Sequence, residues 1–156
     1  MTQNDIHITL SLEPKPQSRP RFRMMRGRPV AYEEKDMKYW RLLCSRSIQE
    51  AYKEDVLEGP IEVELWFYIQ PPKYVSDRKI NQASLHAESI PVSKKPDLDN
   101  YIKAVLDSSN GILFKDDGQI ADMHAYKRYS YEPRIEMKIK EIEIRRKDAT
   151  KSEATS

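Results

Sequence analysis

Apolar and polar residues alternate along four stretches of the chain, with the two-residue period of a half-buried β-strand. These stretches are residues 5–12, 61–69, 119–129 and 134–144. Only four residues separate the last two stretches, which predicts that they form a hairpin. The apolar phase changes after Ile139, so we expect a bulge or a strand end near Lys140.

Two further stretches carry the period of an amphipathic helix. Between residues 33 and 53, apolar side chains recur every three or four positions, at Met37, Trp40, Cys44, Ile48 and Ala51. A shorter helix is predicted to begin at Asp97, a favourable N-cap residue, and to end at Gly111. A chain of 156 residues predicts one compact domain, here residues 1–146, and the polar residues 147–156 are expected to form a disordered tail.

The segment between residues 71 and 96 shows neither period and ends with Lys94, Lys95 and a proline. In a compact domain, a segment of more than about 12–15 residues without an element is usually functional or disordered. We therefore predict a flexible loop directly before the second helix.

Composition narrows the class of protein. Charged residues make up 33% of the chain, and 14 aromatic residues argue against disorder throughout. The single Cys44 excludes an internal disulfide and a zinc site made of thiolates. No apolar run approaches the roughly 18 residues that a bilayer span needs, and residues 1–5 lack signal-peptide features. We therefore expect a cytoplasmic protein without a membrane partner.

Positive charge is concentrated in residues 14–28, within a basic arm that we place at residues 14–32. Residues 14–28 hold six cations and no anion, whereas the rest of the chain holds 21 cations and 25 anions. This asymmetry indicates a polyanionic partner such as DNA. The predicted contact residues are Lys15, Arg19, Arg21, Arg23, Arg26 and Arg28 of the arm, with Lys94 and Lys95 of the loop.

The arm contains three prolines before Arg21, which exclude a regular helix and predict an extended arm or a loose hairpin. Phe22 lies within this arm, and two roles are open for it. It either binds a base step of DNA, or it is buried and anchors the arm to the domain.

Aspartates lie on both sides of the second predicted helix. Asp97 and Asp99 lie at its start, and Asp116 and Asp117 follow it on the way into the next strand. If the helix folds back on that strand, the acids come together. Because Mg²⁺ prefers carboxylate oxygens and retains waters, two or three such acids suffice for a site that also holds a phosphate.

The same helix carries Lys103 four residues after Asp99, and Asp107 four residues further on, all on one face. A lysine near a metal ion can neutralise the charge that develops on a phosphate during hydrolysis. The alternative is structural. Asp97 then serves as an N-cap, Asp99 as a partner of the helix dipole, and Lys103 with Asp107 as a solvated ion pair.

Three motifs around this helix resemble the signature of the RusA family of Holliday-junction resolvases in order and spacing. They are Lys95-Pro-Asp-Leu-Asp-Asn-Tyr-Ile-Lys103, Leu106-Asp107 and Lys115-Asp-Asp-Gly-Gln-Ile120. The arm, with Pro16–Phe22, Gly27-Arg28 and Tyr32, is similar to that of the phage and prophage branch. The resemblance spans residues 6–144.

The resemblance implies a homodimer on an α/β (α+β) fold, in which a mixed β-sheet packs with two main helices. It also implies an endonuclease that depends on Mg²⁺, with Mn²⁺ as a substitute, and resolves four-way DNA junctions by paired cuts in recombination and repair. By motif position, Asp97, Asp99 and Asp117 are expected to be catalytic and to bind metal, and Lys103 to be the catalytic lysine. Asp116 and Asp107 match secondary positions. The 71–96 loop is longer than in the shortest family members.

Two other functions remain open from the residues alone. The chain could bind branched DNA without cutting it, its acids serving as caps and surface charges. It could also be a metal-dependent enzyme that acts on RNA or on a nucleotide. Metal-dependent cleavage, and a comparison of DNA junction, RNA hairpin and nucleotide as substrates, distinguish these possibilities.

Overall fold

The computed structural model describes residues 5–18, 21–32 and 34–144. Arg19 of the basic arm and the tail 147–156 lie outside these residues. Strands and helices are numbered in chain order: β1 Ile6–Leu10, β2 Arg21–Met25, β3 Arg28–Tyr32, α1 Lys35–Ala51, β4 Ile61–Ile69, α2 Lys73–Ser76, α3 Gln82–His86, α4 Leu98–Ser109, β5 Ile120–Tyr129 and β6 Arg134–Glu141. Short 3₁₀ turns lie at Lys79–Asn81 and Asp117–Gln119.

Four strands form one sheet in the order β1-β6-β4-β5. β4 is parallel to β5, and the other neighbours are antiparallel. The predicted α/β (α+β) fold with a mixed sheet is therefore confirmed. Strand β4 covers the predicted range, and β6 ends at Glu141, which confirms the strand end expected near Lys140.

The predicted hairpin between the last two strands is wrong, because β4 lies between β5 and β6. Residues 130–133 pass the end of β4, where the Ser130 amide donates a hydrogen bond of 2.9 Å to the Ile69 carbonyl oxygen. Strand β4 pairs with β5 on one edge and with β6 on the other, and its inward side chains are fully buried. Adjacency in sequence gives only a tendency to pair, and the central position of β4 overrides it.

Helices α1 and α4 pack on one face of the sheet and close the core. The buried side chains of the helices pack on the inward-facing side chains of the strands. The helices contribute Met37, Trp40, Cys44, Ile48, Tyr101 and Val105. The strands contribute Ile61, Val63, Leu65, Phe67, Ile135 and Met137, among others. The two periods therefore predict the buried side chains well, except that Ala51, at the end of α1, is exposed and the following Tyr52 is buried instead. Among the described residues, no helix has both the length and the apolar character that crossing a bilayer requires.

The segment 71–96 contains α2, a 3₁₀ turn and α3. Elements of three to five residues are too short to show a period, so the pattern did not predict them. Leu85 is fully buried, and Arg134 of β6 donates hydrogen bonds to both carboxylate oxygens of Glu88. Residues 90–92 then pair with the outer edge of β5, where Pro91 bridges Arg128. These contacts tie the segment to the sheet on its way to α4.

Candidate active site and nucleic-acid interface

Helix α4 is held against the core by its buried face, which leaves its first turn at the surface. The ring of Tyr101 packs on Phe67 of β4, with ring centroids 5.5 Å apart. Near the other end of α4, the Ser45 hydroxyl donates a hydrogen bond of 2.9 Å to the Ser108 carbonyl oxygen. These contacts fix the direction of α4 and therefore the position of the residues at its start.

Asp97 and Asp99 are exposed at the start of α4, as predicted. Asp97 occupies the N-cap position in an extended conformation, but its side chain makes no capping hydrogen bond. Within the described residues, neither carboxylate forms a hydrogen bond or an ion pair with another side chain. The structural role proposed for Asp97 is thus not realised, and both acids keep their oxygens available for a ligand.

Lys103 extends from the next turn and is 63% exposed. Its Nζ lies 3.9 Å from Asp107, at the outer limit of an ion pair, and Arg41 of α1 approaches the same carboxylate to 3.6 Å. Asp107 therefore links α1 to α4, which is a structural role. The ammonium group of Lys103 remains largely in solvent, one helical turn from Asp99.

Lys127 of β5 is a residue that sequence reasoning missed. Its Nζ donates hydrogen bonds to the carbonyl oxygens of Lys94, at 2.8 Å, and Pro96, at 2.7 Å. Lys127 thereby holds the segment that leads directly into Asp97. The signal in the sequence is a lysine in the inward phase of β5, where Met123 and Ala125 pack against the core.

Asp116 and Asp117 lie in a turn before β5 that is fixed by local hydrogen bonds. The Asp116 carboxylate accepts a hydrogen bond of 2.9 Å from the Gly118 amide, in a capping box completed by Gln119. A Cβ on Gly118 would lie 2.8 Å from that carboxylate oxygen, so a larger residue at this position would displace the carboxylate from its hydrogen bond. Asp116 is therefore a cap, whereas Asp117 is exposed and has no side-chain partner among the described residues.

Gln119 anchors this turn to the loop before β4, a role that no pattern in the sequence predicted. Its amide nitrogen donates hydrogen bonds to the carbonyl oxygens of Leu57 and Gly59, at 2.9 and 3.0 Å. Its amide oxygen accepts from the backbone of Lys115 at 2.7 Å. The carboxamide of Gln119 thus fixes the position of Asp117 relative to the sheet.

One chain does not bring Asp117 together with Asp97 and Asp99. Helix α4 runs antiparallel to β5, so Asp97 lies near Lys127 while Asp117 lies at the other end of the strand. With 12 residues, α4 spans about 18 Å. Accordingly, the described residues contain no group of three or more acidic, histidine or cysteine side chains placed to hold a metal. The expectation that folding of the helix unites the acids is not met within a single chain.

The donor set at the start of α4 still fits a hard divalent cation. Asp97 and Asp99 offer carboxylate oxygens that have no protein partner in the described part of the chain. Mg²⁺ is commonly bound by one or two carboxylates, with waters and substrate phosphate completing its shell. A complete protein cage is therefore not required for these residues to bind it.

The basic arm forms an antiparallel hairpin of β2 and β3, as one of the two predicted forms. Arg26 and Gly27 form its two-residue turn with φ of 53° and 76°, the left-handed conformation that favours glycine. All ten strand residues are exposed, and Phe22 is 68% exposed. The predicted alternative in which Phe22 is buried as an anchor is therefore wrong.

The hairpin has two different faces, because residues paired across antiparallel strands point to the same side. The pairs Arg21–Tyr32, Arg23–Val30 and Met25–Arg28 form what we call the cationic face. The pairs Phe22–Ala31 and Met24–Pro29 form the apolar face. On the cationic face, the Arg23 guanidinium lies 5.6 Å from the centroid of the Tyr32 ring.

The segment that leads to the hairpin is hydrogen-bonded to the first turn of α4. The Gln17 amide donates a hydrogen bond of 2.9 Å to the Asn100 carbonyl oxygen. After the hairpin, Glu34 forms an ion pair of 2.7 Å with Arg21. The exposed Lys94 and Lys95 directly precede the exposed Asp97, and the segment that leads to the hairpin is hydrogen-bonded to the same helix turn, as a site for a phosphate backbone requires.

Comparison with known proteins identifies the class. The family model described as Endodeoxyribonuclease RusA matches residues 11–140. A protein of Bacillus subtilis (strain 168), named Uncharacterized protein YqaN, is 32% identical over 137 residues, which cover 88% of this chain and 96% of that protein. The match defines a DNA-cutting nuclease of the endodeoxyribonuclease class. The chain belongs to the RusA family, as its motifs predicted.

Proposed function

We propose that this protein is a structure-selective endonuclease that binds four-way DNA junctions and resolves them by paired cuts. The observation that carries the proposal is the juxtaposition at the start of α4. There, the carboxylates of Asp97 and Asp99 have no partner among the described residues, and the segment that leads to the cationic hairpin is hydrogen-bonded to the same helix turn. Membership in a family of endodeoxyribonucleases supports the same conclusion.

The proposed DNA contacts come from the arm and from the segment before α4. Lys15, Arg21, Arg23, Arg26 and Arg28 lie on or next to the hairpin, and Lys94 and Lys95 are exposed directly before Asp97. Arg19 belongs to the same proposed set by sequence. Cations of this kind neutralise phosphates and fix the register of the DNA relative to the acids.

We assign Asp97 and Asp99 as ligands of Mg²⁺, with Mn²⁺ as a substitute. When bound, the ion activates a water molecule and stabilises the leaving oxygen of the phosphodiester. Lys103 projects from the next turn of α4 with its ammonium group in solvent. We propose that this ammonium group stabilises the additional negative charge of the transition state.

A homodimer is part of the proposal, and the position of Asp117 supports it. Asp117 is at the opposite end of α4 from Asp97, so a site that uses all three acids needs Asp117 from a second chain. A two-fold dimer also offers two equivalent sites to the two symmetry-related strands of a four-way junction. We place this activity in recombination and repair of DNA.

The test uses a labelled four-way junction and a linear duplex of the same sequence, in Mg²⁺ and in EDTA. The wild-type protein should nick the junction at symmetric positions in Mg²⁺ only. Asp99→Asn should abolish cutting and leave junction binding in EDTA unchanged, whereas the matched change Asp107→Asn should retain cutting. Mixing Asp99→Asn with Asp117→Asn protein should restore one intact site in a heterodimer and part of the activity.

Other outcomes decide against the proposal. Tight junction binding without cleavage in Mg²⁺ or Mn²⁺ would support a protein that only binds branched DNA. Preferred cleavage of an RNA hairpin or of a nucleotide would move the activity to another substrate class. If mixed variants with separate defects stay inactive while both remain dimeric, the site does not combine acids from two chains.

A further inference from the structure

The apolar face of the hairpin has no partner within the described chain. Phe22 and Met24 are each 68% exposed, and every residue of β2 and β3 is exposed to solvent. A two-stranded hairpin alone is marginally stable in water, and an apolar side exposed in this way commonly marks a binding surface. The question is which partner covers it.

Charge decides between the possible partners. The hairpin and its turn carry four arginines and no carboxylate, and only Arg21 has an ion pair, with Glu34, in the described part of the chain. A polyanion complements this charge, whereas a second hairpin of the same kind repels it. The apolar face is also small, since four side chains fall far short of the roughly 1,200 Å² that a stable protein interface buries.

The shape of the hairpin indicates where on DNA it binds. A ribbon lying in the groove of a linear duplex contacts DNA with one face and leaves the other in solvent. In this hairpin both faces can contact DNA, because the cationic face suits phosphates and the apolar face suits apolar surfaces. The centre of a four-way junction is bordered by DNA on more than one side, and base pairs at the crossover expose their ring faces when they open.

Resting on the proposed function, we infer that the apolar face of the hairpin binds nucleobase faces at the branch point. Phe22 stacks on an unpaired base, and Met24 with Pro29 fills the space beside it. The cationic face binds the phosphates of an adjoining arm. The hairpin thus recognises the branch itself, separately from the acids that are proposed to cut the strand.

The experiment measures binding in EDTA, with 2-aminopurine next to the branch point of a junction and at the same position in a linear duplex. Wild-type protein should raise the fluorescence of the junction, because a base that leaves its stack is no longer quenched. The double change Phe22→Ala with Met24→Ala should abolish that rise and weaken junction binding by about tenfold or more. Its affinity for the duplex should change by less than about twofold, because the phosphate contacts remain.

Two matched variants control for the other face. Val30→Ala shortens an apolar side chain on the cationic face and should retain the fluorescence rise. Arg23→Gln with Arg28→Gln should weaken binding to junction and duplex alike and reduce the salt dependence of both, while the rise at saturation persists. Phe22→Trp should retain stacking and restore the signal. Unchanged thermal unfolding of each variant shows that the domain is intact.

Three results would overturn the inference. The first is a wild-type complex whose 2-aminopurine signal does not change although the junction is bound and cut, which leaves the proposed function standing. The second is an equal loss of junction and duplex binding in the Phe22 and Met24 variant. The third is that sedimentation finds a dimer for the wild type and a monomer for the Phe22 and Met24 variant. This result would show that the apolar face binds a second copy of the chain. Failure of wild-type protein to prefer the junction would instead refute the proposed function.

Discussion

The ammonium group of Lys127 lies 2.7 Å from the carbonyl oxygen of Pro96, one residue before Asp97. A second hydrogen bond joins the same group to the carbonyl oxygen of Lys94. A strand of the central sheet therefore holds the backbone from which the first proposed metal ligand extends. Displacements of about 1 Å in such a site are known to reduce turnover strongly, even when substrate still binds.

Lys127→Met should accordingly lower cleavage by about tenfold or more while junction binding in EDTA is retained. Lys127→Arg, which can donate to both carbonyl oxygens, should recover part of the activity. The control is Lys138→Met, on the other face of the sheet, where the side chain pairs with Asp5 at 3.5 Å. Equal loss of activity in the two methionine variants, or loss of binding together with cutting, would argue against this role.

Asp97 and Asp116 both occupy N-cap positions, but only Asp116 makes a capping hydrogen bond. Asp97→Ala should change the free energy of unfolding by less than about 0.5 kcal/mol, because no capping hydrogen bond is lost. Asp116→Ala should lower it by about 1 kcal/mol, because a Gly118 amide loses its acceptor. Urea unfolding followed by circular dichroism measures both. If the change at Asp97 lowered the free energy of unfolding more than the change at Asp116, Asp97 would have a structural role.

Glu88 predicts a pH dependence of stability. The hydrogen bonds from Arg134, and then from Ser130, hold the pKa of the Glu88 carboxyl below its ordinary value of 4.5. Because the pKa is lower in the folded state, this pair stabilises the protein above the ordinary pKa and loses its effect as the pH falls through the folded-state pKa. The destabilisation caused by Glu88→Gln should therefore be largest near neutral pH and shrink as the pH falls below the ordinary pKa of 4.5 and through the lower folded-state pKa.

The measurement is the free energy of unfolding of the wild type and of Glu88→Gln across this pH range, with Glu132→Gln as an exposed control. A difference between wild type and Glu88→Gln that stays constant with pH would show that the ion pair does not stabilise the fold through its charge.

Cys44 is fully buried in the contact between α1 and the core. Burial raises the pKa of its thiol to about 11, so at pH 8 almost none is thiolate. Native protein should react with a thiol reagent such as DTNB far more slowly than protein in urea, and the rate should follow the opening of the fold. Rapid reaction of native protein would contradict this packing.

Much of the fold follows from periodicity. The alternation of Ile61, Val63, Leu65 and Phe67 placed β4 correctly, since all four are buried in the structure. The helix spacing likewise placed α1 and α4. Periodicity reports which face of an element is buried, but not which strands become neighbours, and for this reason the pairing of β5 with β4 was missed.

The unknown order of the strands also explains why the arrangement of the site residues was not predicted. A helix that connects two parallel strands runs antiparallel to both, so residues before and after it lie at opposite ends. Without the parallel pair of β4 and β5, the separation of Asp97 from Asp117 could not be foreseen. Gln119 and Lys127 both act through backbone carbonyl oxygens, and such partners are not visible in the sequence; for Lys127 the one signal is its place in the inward phase of β5.

The pairing of β1 with β6 joins segments that are far apart in the chain, with Ile6 opposite Ile139. During synthesis, β1 emerges first and has no partner until residues 134–141 have left the ribosome. The sheet therefore closes only after its last strand, β6, has been made. The first strand of the protein must therefore stay competent to pair while the more than 120 residues between it and β6 are synthesised.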